Sequence, residues 1–317
     1  MIYNNKHGAF LVIAERLRKS HFLTICAALI LITLLLFRSA AASGGIIAVQ
    51  SSNIKPYNDA LAGFENACNC ATRHLLISEA EEGDILMTIQ RAQPELVLAI
   101  GIDALNRVKS IKNMPIVYFM VLNPQLGDSD YENITGINMI ISPETQLSMI
   151  KRLLPDAKSV GLLYDPIRTD DFVTKARKAA ASEKINLITG EVRSPKDLPE
   201  QLKNMETKID VFWMLPDVTV ITPETVEFLL LSLIEKRIPV VTFSDKYLKI
   251  GAAMSLMVDA FDIGKQAWEI TEKVLAGTEI KKIEKRFARK SVVAVNRDIT
   301  NKLGISVSDK FLNDKEK

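Results

Sequence analysis

The chain has 317 residues, of which 48% are apolar and 25% charged. That length is enough for two globular units, and that composition excludes a disordered chain. The net charge of +2 is too small to mark a nucleic-acid-binding surface.

The first forty residues stand apart. Residues 22–37 read FLTICAALILITLLLF, an apolar run preceded by Lys6, Arg16, Arg18 and Lys19 and followed by Arg38 and the small residues SAAAS. A basic flank, an apolar stretch and a small-residue patch are the three parts of an export signal. Residues 1–42 are therefore read as a signal peptide, with an uncleaved signal anchor as the alternative. The basic side stays in the cytosol, so the remainder is exported. Cys26 lies inside the apolar run and follows Ile25, where a lipid-attachment site wants a small residue. Removing 42 residues leaves 275. It takes away five basic residues and one acidic residue, leaving 35 against 37 and a charge of −2. The positive excess belongs to targeting.

The remainder alternates strand and helix. The first run has strands at 45–51, 74–77, 96–102 and 115–122, with helices opening at Pro56, around Ile85 and after Asp103. A second run begins at Ser142-Pro143-Glu144, a helix cap. It continues with strands at 159–165, 185–192, 210–216 and 239–244 and helices at 170–184, 194–205 and from Thr222. A strand at 252–258, a helix at 260–276, a strand at 292–295 and a short helix at 298–303 close the chain. Continuous apolar strands alternating with helices build parallel sheets covered on both faces. The fold class is α/β, with two doubly wound parallel-sheet lobes joined by hinge strands. Residues 44–136 with 259–288 form the first lobe. Residues 137–258 with 289–310 form the second, and the junction falls at 133–138.

In such sheets the ligand crevice lies at the carboxyl ends of the strands. The candidate ligand-binding residues are therefore Ser51, Ser52, Ile102, Asp103, Asn123, Tyr164, Asp217 and Asp245. The set offers hydroxyls, an amide, a phenol and carboxylates. It suits holding a small polar solute, and no catalytic residue, metal or cofactor is assigned. For each residue the plain alternative is a helix cap. Asp217 follows a very apolar strand and does not precede a helix directly, so it reads as an unpaired carboxylate awaiting a ligand ammonium. Trp213 and Phe212 read as core. Cys68 and Cys70 read as two free thiols, with a disulfide as the alternative. The phosphate loop, G-x-G-x-x-G and G-x-S-x-G motifs are absent from the sequence, and His74 is the one histidine after residue 42. All of this speaks against an enzyme.

Several stretches carry a family resemblance: LVLAIGIDAL, MPIVYFMVLNP, NITGINM, SVGLLYDP, DVFWMLPDVTV, IPVVTFSDKYLKIGAAMSLMVDAFDIGKQA and VVAVNRDITNKLGI. Together they resemble the bacterial ABC-transporter substrate-binding family that includes tryptophan- and phenylalanine-binding members. The resemblance implies a type I periplasmic-binding-protein fold outside the inner membrane, with a ligand such as an amino acid gripped between hinged lobes. It implies a membrane permease as partner and no nucleic acid; a sensor kinase is the alternative partner, if the chain signals occupancy. Relatives tend to carry Gly-Thr where this chain has Gly101-Ile102, and Asp-Pro where it has Asn123-Pro124. The fold expectation survives both departures; the carry-over of aromatic amino-acid specificity does not.

Overall fold

A computed structural model describes residues 45–79, 84–122, 124, 126 and 131–307. Residues 1–42, read as a signal peptide or signal anchor, lie outside these residues.

The first sheet is ordered β11-β5-β4-β3-β1-β2, from β1 (Ile46–Gln50), β2 (Arg73–Leu76), β3 (Leu96–Ile100), β4 (Ile116–Val121), β5 (Ile134–Ile141) and β11 (Arg286–Ala288), all parallel. The second is ordered β12-β10-β9-β8-β6-β7. It comprises β6 (Ser159–Tyr164), β7 (Asn186–Glu191), β8 (Val211–Trp213), β9 (Val240–Thr242), β10 (Met254–Val258) and the antiparallel edge strand β12 (Ser291–Val295). Parallel neighbours need a crossover, and helices supply it. In the first lobe these are α1 (Lys55–Cys68), α2 (Asp84–Ala92) and α3 (Ile102–Val108); in the second, α4 (Pro143–Leu153), α5 (Pro166–Glu183), α6 (Leu198–Met205) and α7 (Pro223–Glu235). Helix α8 (Ala260–Leu275) returns to the first lobe and α9 (Arg297–Leu303) to the second.

The helix starts are written locally. Ser142, Asp165, Thr222, Asp259 and Asn296 each accept the backbone N–H of the second or third residue of the helix that follows. Proline sits in the first turn of α1, α4, α5 and α7, where its missing N–H costs nothing.

Each sheet is packed on both faces. In the first lobe Phe64 stacks on Phe119 and meets Trp268 edge-on, joining α1, β4 and α8 in one layer. Helices α1 and α8 touch backbone to backbone. A Cβ on Gly63 would strike the carbonyl of Phe261, and one on Gly264 that of Ala60. Glycine at both positions is what permits the approach. In the second lobe Trp213 and Phe212, on opposite faces of β8, are core as expected. Each such buried aromatic is worth roughly 1.5–3 kcal/mol.

Two strands differ from the sequence expectation. The segment 133–138, read as the junction, lies mostly within β5, which pairs with β4 and runs on to Ile141. Its polar residues Thr135 and Asn138 break the apolar run that marks the other strands. Strand β11, in the charged stretch EKRFARK, has no apolar run at all and docks at the outer edge of β5. The free-thiol reading also gives way: Cys68 and Cys70 form a disulfide at the end of α1. Asn69 between them takes a left-handed conformation, which folds the two cysteines toward each other.

The chain passes between lobes three times: from β5 to α4 at Ser142, from β10 to α8 at Asp259, and from β11 to β12 at Arg289–Lys290. Strands β5, β11 and β10 all leave from their carboxyl ends. The carboxyl edges of the two sheets therefore face each other.

Candidate functional site

The first-lobe wall is built at the ends of β1 and β3. Ser51 is buried and its hydroxyl accepts the Ala104 N–H at 2.9 Å, tying β1 to the first turn of α3. The turn between β3 and α3 is made by Gly101 at φ 90°, where a Cβ would meet the Ser51 hydroxyl and the Tyr57 ring. Tyr57 thus lies over this turn. Burial first, and then the nearby Asp103 carboxylate, push its phenol pKa up. Ile102 and Asp103 are exposed, and Ser52 is half-buried with its carbonyl accepting from Gln50 Nε2 at 2.8 Å. Ser52, Ile102, Asp103 and Tyr57 together form one polar and apolar ledge. Ser51 braces it from beneath.

The second-lobe wall is built at the ends of β6 and β8. Two carboxylates cross there. Asp165 accepts from the Ile167 N–H at 2.9 Å and the Thr219 hydroxyl at 2.7 Å. Asp217 accepts from the Asp165 N–H at 2.8 Å, the Thr169 hydroxyl at 2.6 Å, and the N–H groups of Thr219 at 2.9 Å and Val220 at 3.4 Å. Burial alone raises the Asp165 pKa. The Thr219 hydroxyl, the Ile167 N–H and the charges of Arg168 and Arg193 outweigh it and hold the group below the usual carboxylate range. Asp217 is thus not the unpaired carboxylate that its place in the sequence suggests. It is buried, and its acceptor positions are filled by two loops that it staples together.

Tyr164 is likewise turned away from the cleft. It is buried in the core, and its hydroxyl accepts from Arg177 at 3.1 Å. Asp245 stands exposed at the carboxyl end of β9, in the first turn of a short 3-10 helix. Asn123 lies outside the described residues. The structure therefore brings Ser51, Ser52, Ile102 and Asp103 together and places Tyr164 elsewhere.

Between the lobes, beside β5 and β11, is a cavity of about 200 Å³, lined from the first lobe by Asn138 and Phe287 and from the second by Arg168, Thr169, Asp171, Phe172 and Lys175; the first-lobe ledge does not line it. The Lys175 ammonium reaches across to 5.2 Å from the Phe287 ring centroid. A larger cavity, about 330 Å³, lies at the opposite, amino end of the second-lobe strands, around Pro155, Asp210, Arg237 and Ile305. The first lobe contributes nothing to it, so movement of the lobes does not act on it. Among the described residues no group of three or more His, Cys, Asp or Glu side chains is arranged to hold a metal ion.

The cleft has one further property. Ile54, Ile102 and Leu122 follow β1, β3 and β4, and Ile167 and Val218 follow β6 and β8. These five side chains are exposed, from 39% for Leu122 to 83% for Ile167. Apolar side chains left in water on two facing edges have something to gain from closure.

Sequence reasoning missed Tyr57, Arg168 and Lys175. The signal was available for the first two. Each sits within the first three residues of a helix that follows a strand, which puts it at the strand's carboxyl end.

The family profile described as ABC transporter substrate binding protein matches residues 62–317. A tyrosine-binding protein of Clostridioides difficile (strain R20291) is 20% identical over 267 residues, spanning 81% of this chain and 74% of that protein. The ligand-free, open structure of a substrate-binding protein with adhesive properties from Clostridium difficile superposes with a TM-score of 0.62. Its identity is 18%, and 83% of this chain and 95% of that one are covered. An L-Trp complex from Streptococcus pneumoniae gives 0.55 at 18% identity, over 86% and 98%. At these identities the structures share the fold. The profile match across four-fifths of the sequence shows more: this chain belongs to the ABC transporter substrate-binding protein family.

Proposed function

We propose that the chain is the extracytoplasmic receptor of an ABC importer and that it captures an amino acid, or a similar small zwitterion, by closing its two lobes. The observation that carries this reading is the division of labour across the cleft. A carboxylate, Asp103, stands on the first wall; on the second stand Arg168, 3.5 Å from Asp165, and Lys175, with the Asp171 carboxylate between them in sequence; apolar side chains rim both. An ammonium suits the first wall and a carboxylate the second, so one zwitterion bridges the lobes only when they approach. Ser52 and Tyr57 add hydrogen-bonding groups to the first wall. Asp245 is placed to join from the end of β9. Ile102 in place of a hydroxyl residue makes that wall more apolar than in relatives of the Gly-Thr type. The relatives named for tyrosine and tryptophan support an amino acid as the ligand class.

Capture needs no covalent step. A ligand that touches both walls favours the closed state by the contacts made only there. The closed shape is what a membrane permease recognises. The apolar run at residues 22–37, read as an export signal, supports a place for the lobes outside the membrane.

A thermal-shift screen of the full chain in mild detergent, over amino acids, small carboxylates, purines and sugars, tests the reading. An amino acid at 100 times its dissociation constant adds about 2.7 kcal/mol of stability. The variants Asp103→Asn and Arg168→Met are expected each to weaken that shift. A shift given by sugars or purines and by no amino acid would overturn the assignment.

A further inference from the structure

Of the three crossings between lobes, the last is fastened in a way the other two are not. Its two residues, Arg289 and Lys290, connect β11 of the first lobe to β12 of the second. Arg289 keeps 45% of its side chain exposed, yet its guanidinium is turned onto α8. Its Nε lies 2.9 Å from Asp262 Oδ2 and one terminal nitrogen 3.0 Å from Oδ1, a two-pronged pair. The other terminal nitrogen lies 2.7 Å from Glu269. Both acids are on α8, in the first lobe.

Asp262 is buried, and Gln266 donates to it at 3.1 Å, so its carboxylate is held in place before the arginine arrives. Glu269 also takes Arg286 of β11 at 3.3 Å. The Lys290 ammonium stands 3.9 Å from Asp262, and the Lys290 carbonyl accepts the Asp259 N–H, which joins the third crossing to the second. The first crossing is tied the opposite way. Gln146 of α4 donates to the Ile141 carbonyl at 2.7 Å and accepts from the Trp213 indole at 2.9 Å, which anchors it to the second-lobe core.

We propose that Arg289 is a hinge-positioning residue: its fork onto Asp262 and Glu269 makes the third crossing part of the first lobe, so that bending there is confined to the Lys290–Ser291 link. A planar guanidinium on a fixed carboxylate resists rotation, whereas a single-point ammonium does not. The device narrows the range of lobe orientations open to the ligand-free chain. It thereby lowers the ordering cost that ligand capture has to meet. The link to capture rests on the importer reading above; the restriction of bending does not.

The test uses the full chain in mild detergent with fluorophores on bio-orthogonal residues at positions 95 and 235, which lie at the outer poles of the two lobes. The distribution of the distance between them is read by single-molecule energy transfer without ligand. Arg289→Lys keeps the charge and loses the fork. The pair Arg289→Met with Asp262→Asn removes both charges and leaves no carboxylate buried alone. The distribution is expected to broaden about twofold in each, with the melting temperature little changed. With a bound amino acid, affinity falls about threefold to tenfold. An unchanged distribution in folded variants overturns the proposal. So does a lowered melting temperature with an unchanged distribution, since that marks a merely structural pair. If no amino acid binds, the importer reading fails while the ligand-free distribution still decides the hinge.

Discussion

Replacing Asp217 by alanine separates two roles for a buried carboxylate. A ligand anchor, once lost, leaves an intact fold with an empty appetite. A staple, once lost, leaves orphaned donors. The structure gives Asp217 four donors at 2.6–3.4 Å, three of them backbone N–H groups from the β6–α5 and β8–α7 connections. Each buried donor left unsatisfied costs about 1–3 kcal/mol, and partial relaxation and water entry recover some of that. A net loss of roughly 3–5 kcal/mol follows, comparable to removing one partner of a buried charged pair. At about 2–4 °C per kcal/mol for a chain of this size, the melting temperature should fall by roughly 6–20 °C. Asp217→Asn should fall between, because its amide nitrogen would face a donor. The assay is thermal and urea unfolding followed by circular dichroism, with no ligand present. An Asp217→Ala chain that melts like the parent yet loses its ligand would refute the staple and restore the ammonium role.

Other outcomes follow from single contacts. Gly264→Ala forces α1 and α8 apart at the Ala60 carbonyl, and overpacking of this kind costs roughly 1–3 kcal/mol by urea unfolding; an unaltered midpoint would contradict the close approach. Asp165 is held below the ordinary carboxylate pKa, so its contribution is complete above about pH 4 and is lost as pH falls through its depressed folded value. The fall in melting temperature from neutral to acid pH should therefore shrink in Asp165→Asn; an identical fall would count against it. The Cys68–Cys70 bridge spans a separation of only two residues, so in the loop-entropy account its removal as Cys68→Ser/Cys70→Ser costs no more than about 1.5 kcal/mol. A loss well above that would mean the bridge does more than cap α1.

The lobes were legible because buried parallel strands announce themselves. LVLAI in β3 and IVYFMV in β4 are unbroken apolar runs, and both are fully buried. Strands β5 and β11 were not legible for the converse reason. They sit at the hinge edge of the sheet, where Asn138 faces the cleft and Arg286 faces Glu269, and so they carry the polar residues their neighbours exclude. The candidate site was half readable. Position after a strand finds Ser51, Ser52, Ile102 and Asp103. It does not tell Asp217, which turns back onto its own loops, from Asp103, which stands exposed, because that difference is made by donors 48 to 52 residues away in the chain. Tyr164 shows the same limit. As the last residue of β6 its side chain took the face of the sheet that α5 covers, and strand parity near a strand end is settled only by packing.

Whether the lobes close on a solute is decided most directly by the pole-to-pole distance between positions 95 and 235. It should be read by energy transfer while the best amino acid from the screen is titrated to saturation. Capture between the walls requires the mean distance to shorten, at the same midpoint as the thermal shift. A distance that stays constant at saturation would place the solute outside the cleft and contradict the account.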